Sequence, residues 1–88
     1  MHISNDFILQ KVGGAYVAVP VGETSKTFNG MVRLNETSVF LWKKLSEKDC
    51  TEEDLVNAIL EEYNITREIA AADVHRIVEQ LRNSGILV

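Results

Sequence analysis

Between Leu34 and Asn35 the hydrophobic period of the chain changes from that of a strand to that of a helix, with no linking loop. Residues 28–34, FNGMVRL, are β-prone, and alternation sets Val32 and Leu34 on one face with Met31 and Arg33 on the other. Over residues 36–46 the apolar side chains Val39, Leu41, Trp42 and Leu45 gather on one side of a helix instead. Asn35 permits the switch. Its side-chain oxygen suits the unpaired N–H groups of a first helical turn, and Glu36 suits the positive end of the helix dipole. A strand that runs straight into a helix restricts the fold, and in a three-stranded meander this small strand 28–34 reads as an edge.

The remaining segments sort to either side of this junction. FILQKV (7–12) and AYVAVPV (15–21) flank Gly13-Gly14, a two-residue hairpin signal. Pro20 cannot donate to a ladder and belongs near a strand end. GETSK (22–26) reads as a polar loop, and Gly30 as a bulge or a close backbone approach. After the junction, residues 51–63 open with Thr51 as N-cap and Asp54 three residues on, a variant of the capping box, with Leu55, Val56, Ile59, Leu60 and Tyr63 as the buried stripe. The spacing of Val74, Ile77, Val78 and Leu81 predicts a third helix over 66–84, with Thr66 as its cap and Gly85 as its stop. Residues 86–88, ILV, return to the core as a short strand. No repeat or linker interrupts the chain, so residues 1–88 read as a single domain. The expected class is α+β: a three-stranded antiparallel sheet followed by three helices, in a winged helix-turn-helix arrangement with the second and third helices joined through YNITRE.

Composition narrows the function more by exclusion than by assignment. With 88 residues, 45% apolar and 25% charged, the chain has the make-up of a small soluble domain. No apolar run approaches the roughly 18 residues of a membrane helix, and the first residues lack the plan of a signal peptide, so the expected location is the cytoplasm, with no membrane partner. Cys50 has no partner for a disulfide or a metal pair. His2 and His75 have no neighbours that suggest a triad or a metal site, and His75 stands four residues before Glu79, the spacing of a helix-surface contact. Glu52-Glu53 and Glu61-Glu62 read as solvated faces. Catalysis finds little support in these residues, and they suggest no metal or cofactor.

A net charge of −4 argues against nucleic acid, and Lys43-Lys44 is the only adjacent basic pair. The third helix sets Arg67, Arg76 and Arg82 against Glu68, Asp73 and Glu79, a poor surface for phosphates. A small winged-helix DNA-binding regulator therefore stands as the alternative reading. The third strand suits a peptide better: a free edge offers unpaired N–H and C=O groups to an extended segment. The plainer account is that the edge is merely tolerated, with Arg33 as a charge that guards it.

The junction LN, the helix with Trp42 and Leu45, then TEEDL with Leu55, EEYNI with Tyr63, AADV with Asp73-Val74, and LRNSGIL with Leu81, Gly85 and Ile86 together resemble the PqqD-like family over residues 7–87. Its members are RiPP recognition elements of ribosomal peptide natural-product pathways. The resemblance implies a winged-helix peptide chaperone that binds the leader segment of a precursor peptide by strand addition and presents it to a maturation enzyme such as a radical SAM protein. Carried over by position, the pairing strand is Met31, Val32, Arg33 and Leu34. The facing helix is 73–81, with Asp73, Val74, Arg76, Ile77, Gln80 and Leu81 toward the peptide. The chain departs from the family's better-known members in PVGETSKTFNG, which lengthens the route into the third strand.

Overall fold

Three antiparallel strands, β1 (Phe7–Val12), β2 (Ala15–Pro20) and β3 (Val32–Leu34), precede three helices, α1 (Glu36–Glu47), α2 (Glu52–Glu62) and α3 (Arg67–Asn83). The computed structural model describes residues 1–23, 26 and 31–88. The fold is thus α+β, with strand order β1-β2-β3 and β2 in the middle. The first part of the expected strand 28–34, with Gly30, and part of the polar stretch 22–26 lie outside the described residues. The described strand begins at Val32, so Met31, expected within it, stands outside the ladder and is exposed.

The hairpin forms at Gly13-Gly14, with Val12 opposite Ala15. Gly13 alone takes a positive φ, +62°, as the first central residue of a II′ turn requires. Pro20 closes β2 opposite Phe7, where a missing N–H does least harm. The register pairs Tyr16 with Leu34 and Ala18 with Val32. Phe7, Ala18 and Leu34 therefore point into the core, where Val39, Leu41, Trp42 and Leu45 of α1 meet Leu55, Val56 and Ile59 of α2 and the buried stripe of α3. Ile8 and Val12 lie on the other sheet face and remain exposed.

Each helix starts where its cap residue predicts. Asn35 Oδ1 accepts from the Ser38 N–H at 2.8 Å, and Thr66 Oγ1 from the Ile69 N–H at 3.3 Å. Thr51 and Asp54 form a reciprocal box, the Thr51 N–H donating to Asp54 Oδ2 at 2.9 Å and the Asp54 N–H to Thr51 Oγ1 at 3.1 Å. These bonds, Thr51's backbone N–H foremost, hold the Asp54 carboxyl below the usual range. α3 stops as Gly85 turns into the left-handed region at φ +78° and the Ile86 N–H reaches back to the Leu81 carbonyl at 2.9 Å. Cys50 is buried.

The last residues do return to the core, and their partner is the start of the chain. Ile3 and Leu87 form an antiparallel bridge, flanked by a reciprocal pair of bonds between His2 and Val88 at 3.1 and 3.0 Å. His75 differs from expectation. Its Nδ1 lies 3.2 Å from Glu52 Oε1 of α2, not against Glu79, which holds Arg82 at 3.2 Å. Packing of α2 on α3 brings Glu52 closer to the ring than the neighbour one turn along.

Candidate functional site

Among the described residues, β3 hydrogen-bonds to β2 on one side and to no strand on the other, so it is an edge of the sheet with main-chain groups directed outward. β1 is the second edge of the sheet and is longer, six residues against three. The two edges differ in what stands beside them. Along β3 runs a cleft of about 350 Å³ between the strand and α3, lined by Arg33, Leu34, Asn35, Ser38, Arg76 and Gln80. Among the described cavities none is lined by β1 residues.

The strand and both helices place these side chains. Arg33 is the exposed member of β3, between half-buried Val32 and buried Leu34. Arg76 and Gln80 lie one turn apart on α3, so they share a face. Arg76 is 58% exposed and lies 3.8 Å from Asp73, a loose pair on the same helix. Asn35 and Ser38 come from the start of α1, where the cap bond fixes both.

The residues expected to face a peptide therefore fall into two groups. Arg33, Leu34, Arg76 and Gln80 come together in the cleft. Val74, Ile77 and Leu81 are 0%, 1% and 0% exposed, in the core beneath it. Val32 packs against that core from the strand side. Asp73 lies outside the lining of the cleft, 3.8 Å from Arg76, and Met31 is exposed just before the start of β3. Sequence reasoning did not place Asn35 or Ser38 in this site. The sequence marks Asn35 as a cap alone, yet a cap at the end of an edge strand necessarily stands beside that edge. Ser38 is buried at the start of α1, and nothing in the spacing of the sequence marks it as a lining residue.

A larger groove of about 550 Å³ shares Leu34 and Asn35 but opens toward the β1–β2 turn, with Tyr16, Phe40, Lys43 and Tyr63 in its walls. Phe40 and Tyr63 meet edge to face at 5.7 Å. Burial, aided by Glu36 and Glu62, pushes the Tyr63 hydroxyl up from its ordinary pKa. Among the described residues, no group of three or more His, Cys, Asp or Glu is placed to hold a metal ion, and no helix is long and apolar enough to cross a membrane.

The family model described as coenzyme PQQ synthesis protein D (PqqD) matches residues 9–87. Among solved structures, one described as TbiB1 in complex with the TbiA(beta) leader peptide superposes with a TM-score of 0.77, covering 99% of this chain and 94% of that one at 23% identity. That likeness is one of fold. None of the curated proteins matches the chain.

Proposed function

The chain belongs to the family of coenzyme PQQ synthesis protein D, and from that premise we propose that it is a leader-peptide-binding chaperone, a RiPP recognition element. An extended leader segment adds to the free edge of β3 and lays its side chains into the cleft toward α3. The bound precursor is then presented to a maturation enzyme, a radical SAM protein in this reading, in the cytoplasm. The protein itself performs no chemistry. It works as a single domain over residues 1–88, without a cofactor.

The observation that carries this reading is the free edge of β3 facing α3 across a cleft. The TbiB1 structure, whose fold this chain shares, holds a leader peptide. Of the residues named from sequence, Arg33, Leu34, Arg76 and Gln80 are assigned to contact. Val32, Val74, Ile77 and Leu81 form the floor that holds strand and helix apart, Asp73 tethers Arg76, and Met31 guides the peptide as it leaves the edge.

Magnitudes say why the cleft matters. The three residues of β3 span about 10 Å and offer two or so outward main-chain bonds. Such bonds contribute roughly 1 kcal/mol each, while micromolar binding needs about 8 kcal/mol. The backbone sets direction and register, and most of the affinity has to come from side chains in the cleft.

DNA binding, the alternative, finds no support in α3. Arg67 bonds Asn57 at 2.9 Å, Arg76 lies against Asp73, and Arg82 pairs with Glu79 at 3.2 Å. The test is amide hydrogen exchange with the N-terminal segment of a short precursor encoded beside this chain's gene. Protection is expected in residues 31–34 beyond that in 7–12, with changes in 73–81. Protection confined to α2, or absent throughout, would overturn the reading and return Arg33 to the role of guard charge.

A further inference from the structure

We infer that the cleft selects leader segments carrying an aspartate or glutamate, whose carboxylate is held between Arg33 and Arg76. The inference rests on the leader-binding reading and adds to it the chemical class of side chain that the site accepts.

The chain as a whole is acidic, with a net charge of −4. The cleft departs from that balance: its lining includes Arg33 and Arg76 and no acidic residue. Among the described residues Arg33 has no ion-pair partner, so its charge is uncompensated where it meets the strand edge. Arg76 has only Asp73, at 3.8 Å and half open to water, a pair weak enough to yield to a competing carboxylate. The other polar walls suit the same ligand. Asn35 uses its Oδ1 on the Ser38 N–H, which leaves its amide hydrogens to donate, and Gln80 brings a second amide.

A leader lysine or arginine in this cleft would meet two like charges. An apolar side chain would strip water from them without replacing its hydrogen bonds. A carboxylate alone satisfies both guanidinium groups, which favour two-pronged bonds to its oxygens. Arg33 on the strand and Arg76 on the helix approach from different elements. An acidic side chain clasped by both therefore fixes the register of the added strand, which a three-residue edge specifies poorly by itself.

The probe is a displayed library of random short peptides, selected on the intact protein and filtered for clones that protect residues 31–34 from exchange. One fixed peptide position is expected to be enriched in aspartate or glutamate. Replacing that residue by alanine should weaken binding about tenfold, the size of one lost charge-assisted contact. Raising the salt concentration should weaken the parent peptide more than its alanine version. The double variant Arg33→Glu, Arg76→Glu changes two exposed side chains, so its thermal unfolding should stay close to that of the parent, and its selected peptides should carry lysine or arginine at the same position. Clones that protect β3 with no acidic enrichment, or that bind the double variant equally well, overturn the selectivity and leave leader binding standing. A selection with no clone protecting β3 overturns both.

Discussion

The side-chain oxygen of Asn35 holds the backbone N–H of Ser38 at 2.8 Å, and with that single bond the edge strand becomes a helix. Leu34 is still in the sheet and Glu36 already in α1. Removing the bond leaves an N–H without a partner in the first turn. Asn35→Ala is expected to lower stability by about 1 kcal/mol, read from denaturant unfolding with an unchanged slope. An unchanged midpoint would mean that packing of Val39 and Trp42, not the cap, sets the junction.

Core and cleft separate on adjacent turns of α3. Ile77 is 1% exposed, and its truncation to alanine should cost about 2–5 kcal/mol. Gln80→Ala, on the exposed face, should stay within about 0.5 kcal/mol of the parent and yet weaken leader peptide in titration. If Gln80→Ala binds as the parent does, the amide is no part of the site.

Asp54 gives the fold an acid sensitivity of known sign. Hydrogen bonds from Thr51 lower its pKa in the folded state, so the unfolded chain takes up the proton first as pH falls. Its contribution is complete above about pH 4 and is lost as pH drops through the lowered folded value. Asp54→Ala should therefore be less stable than the parent at neutral pH, and the gap should close in acid. Urea unfolding of both chains over a pH series checks this, and a gap that stays constant would mean that the loss does not depend on the charge of Asp54.

Duplex DNA should not be bound in a sequence-dependent way at physiological salt, because α3 sets Arg67, Arg76 and Arg82 among Glu68, Asp73 and Glu79 in a chain of net charge −4, a poor surface for phosphates. Sub-micromolar affinity that survives competitor DNA in a mobility-shift assay would reverse this.

Much of the fold was legible because its signals are local. Asn35, Thr51 and Thr66 marked the helix starts, Gly85 the final stop, and Gly13-Gly14 the hairpin, each through a hydrogen bond or a backbone angle set within a few residues. The stripe of α1 was equally plain. What stayed hidden depended on distant packing. Glu52 reaches His75 only once α2 lies on α3, and no spacing rule foretells that. The cleft was half visible: alternation exposed Arg33, and helical period put Arg76 beside Gln80. The same period that drew attention to Val74, Ile77 and Leu81 also describes a core stripe, and their burial follows from the core's demand for volume. Asn35 was read for one duty, and only the path of the edge strand shows a second.

The bridge between Ile3 and Leu87 ties together the two ends of the described chain. Closing a loop of nearly the full sequence costs entropy that grows with the logarithm of its length. The pair therefore has to wait until the sheet and helices have already brought the ends within reach. Its formation is a late event, and its amides should be among the first to exchange when the fold loosens. A chain joined at that point and opened at another exposed turn would exchange its most distant contact for a local one, with the β3 edge left as it is.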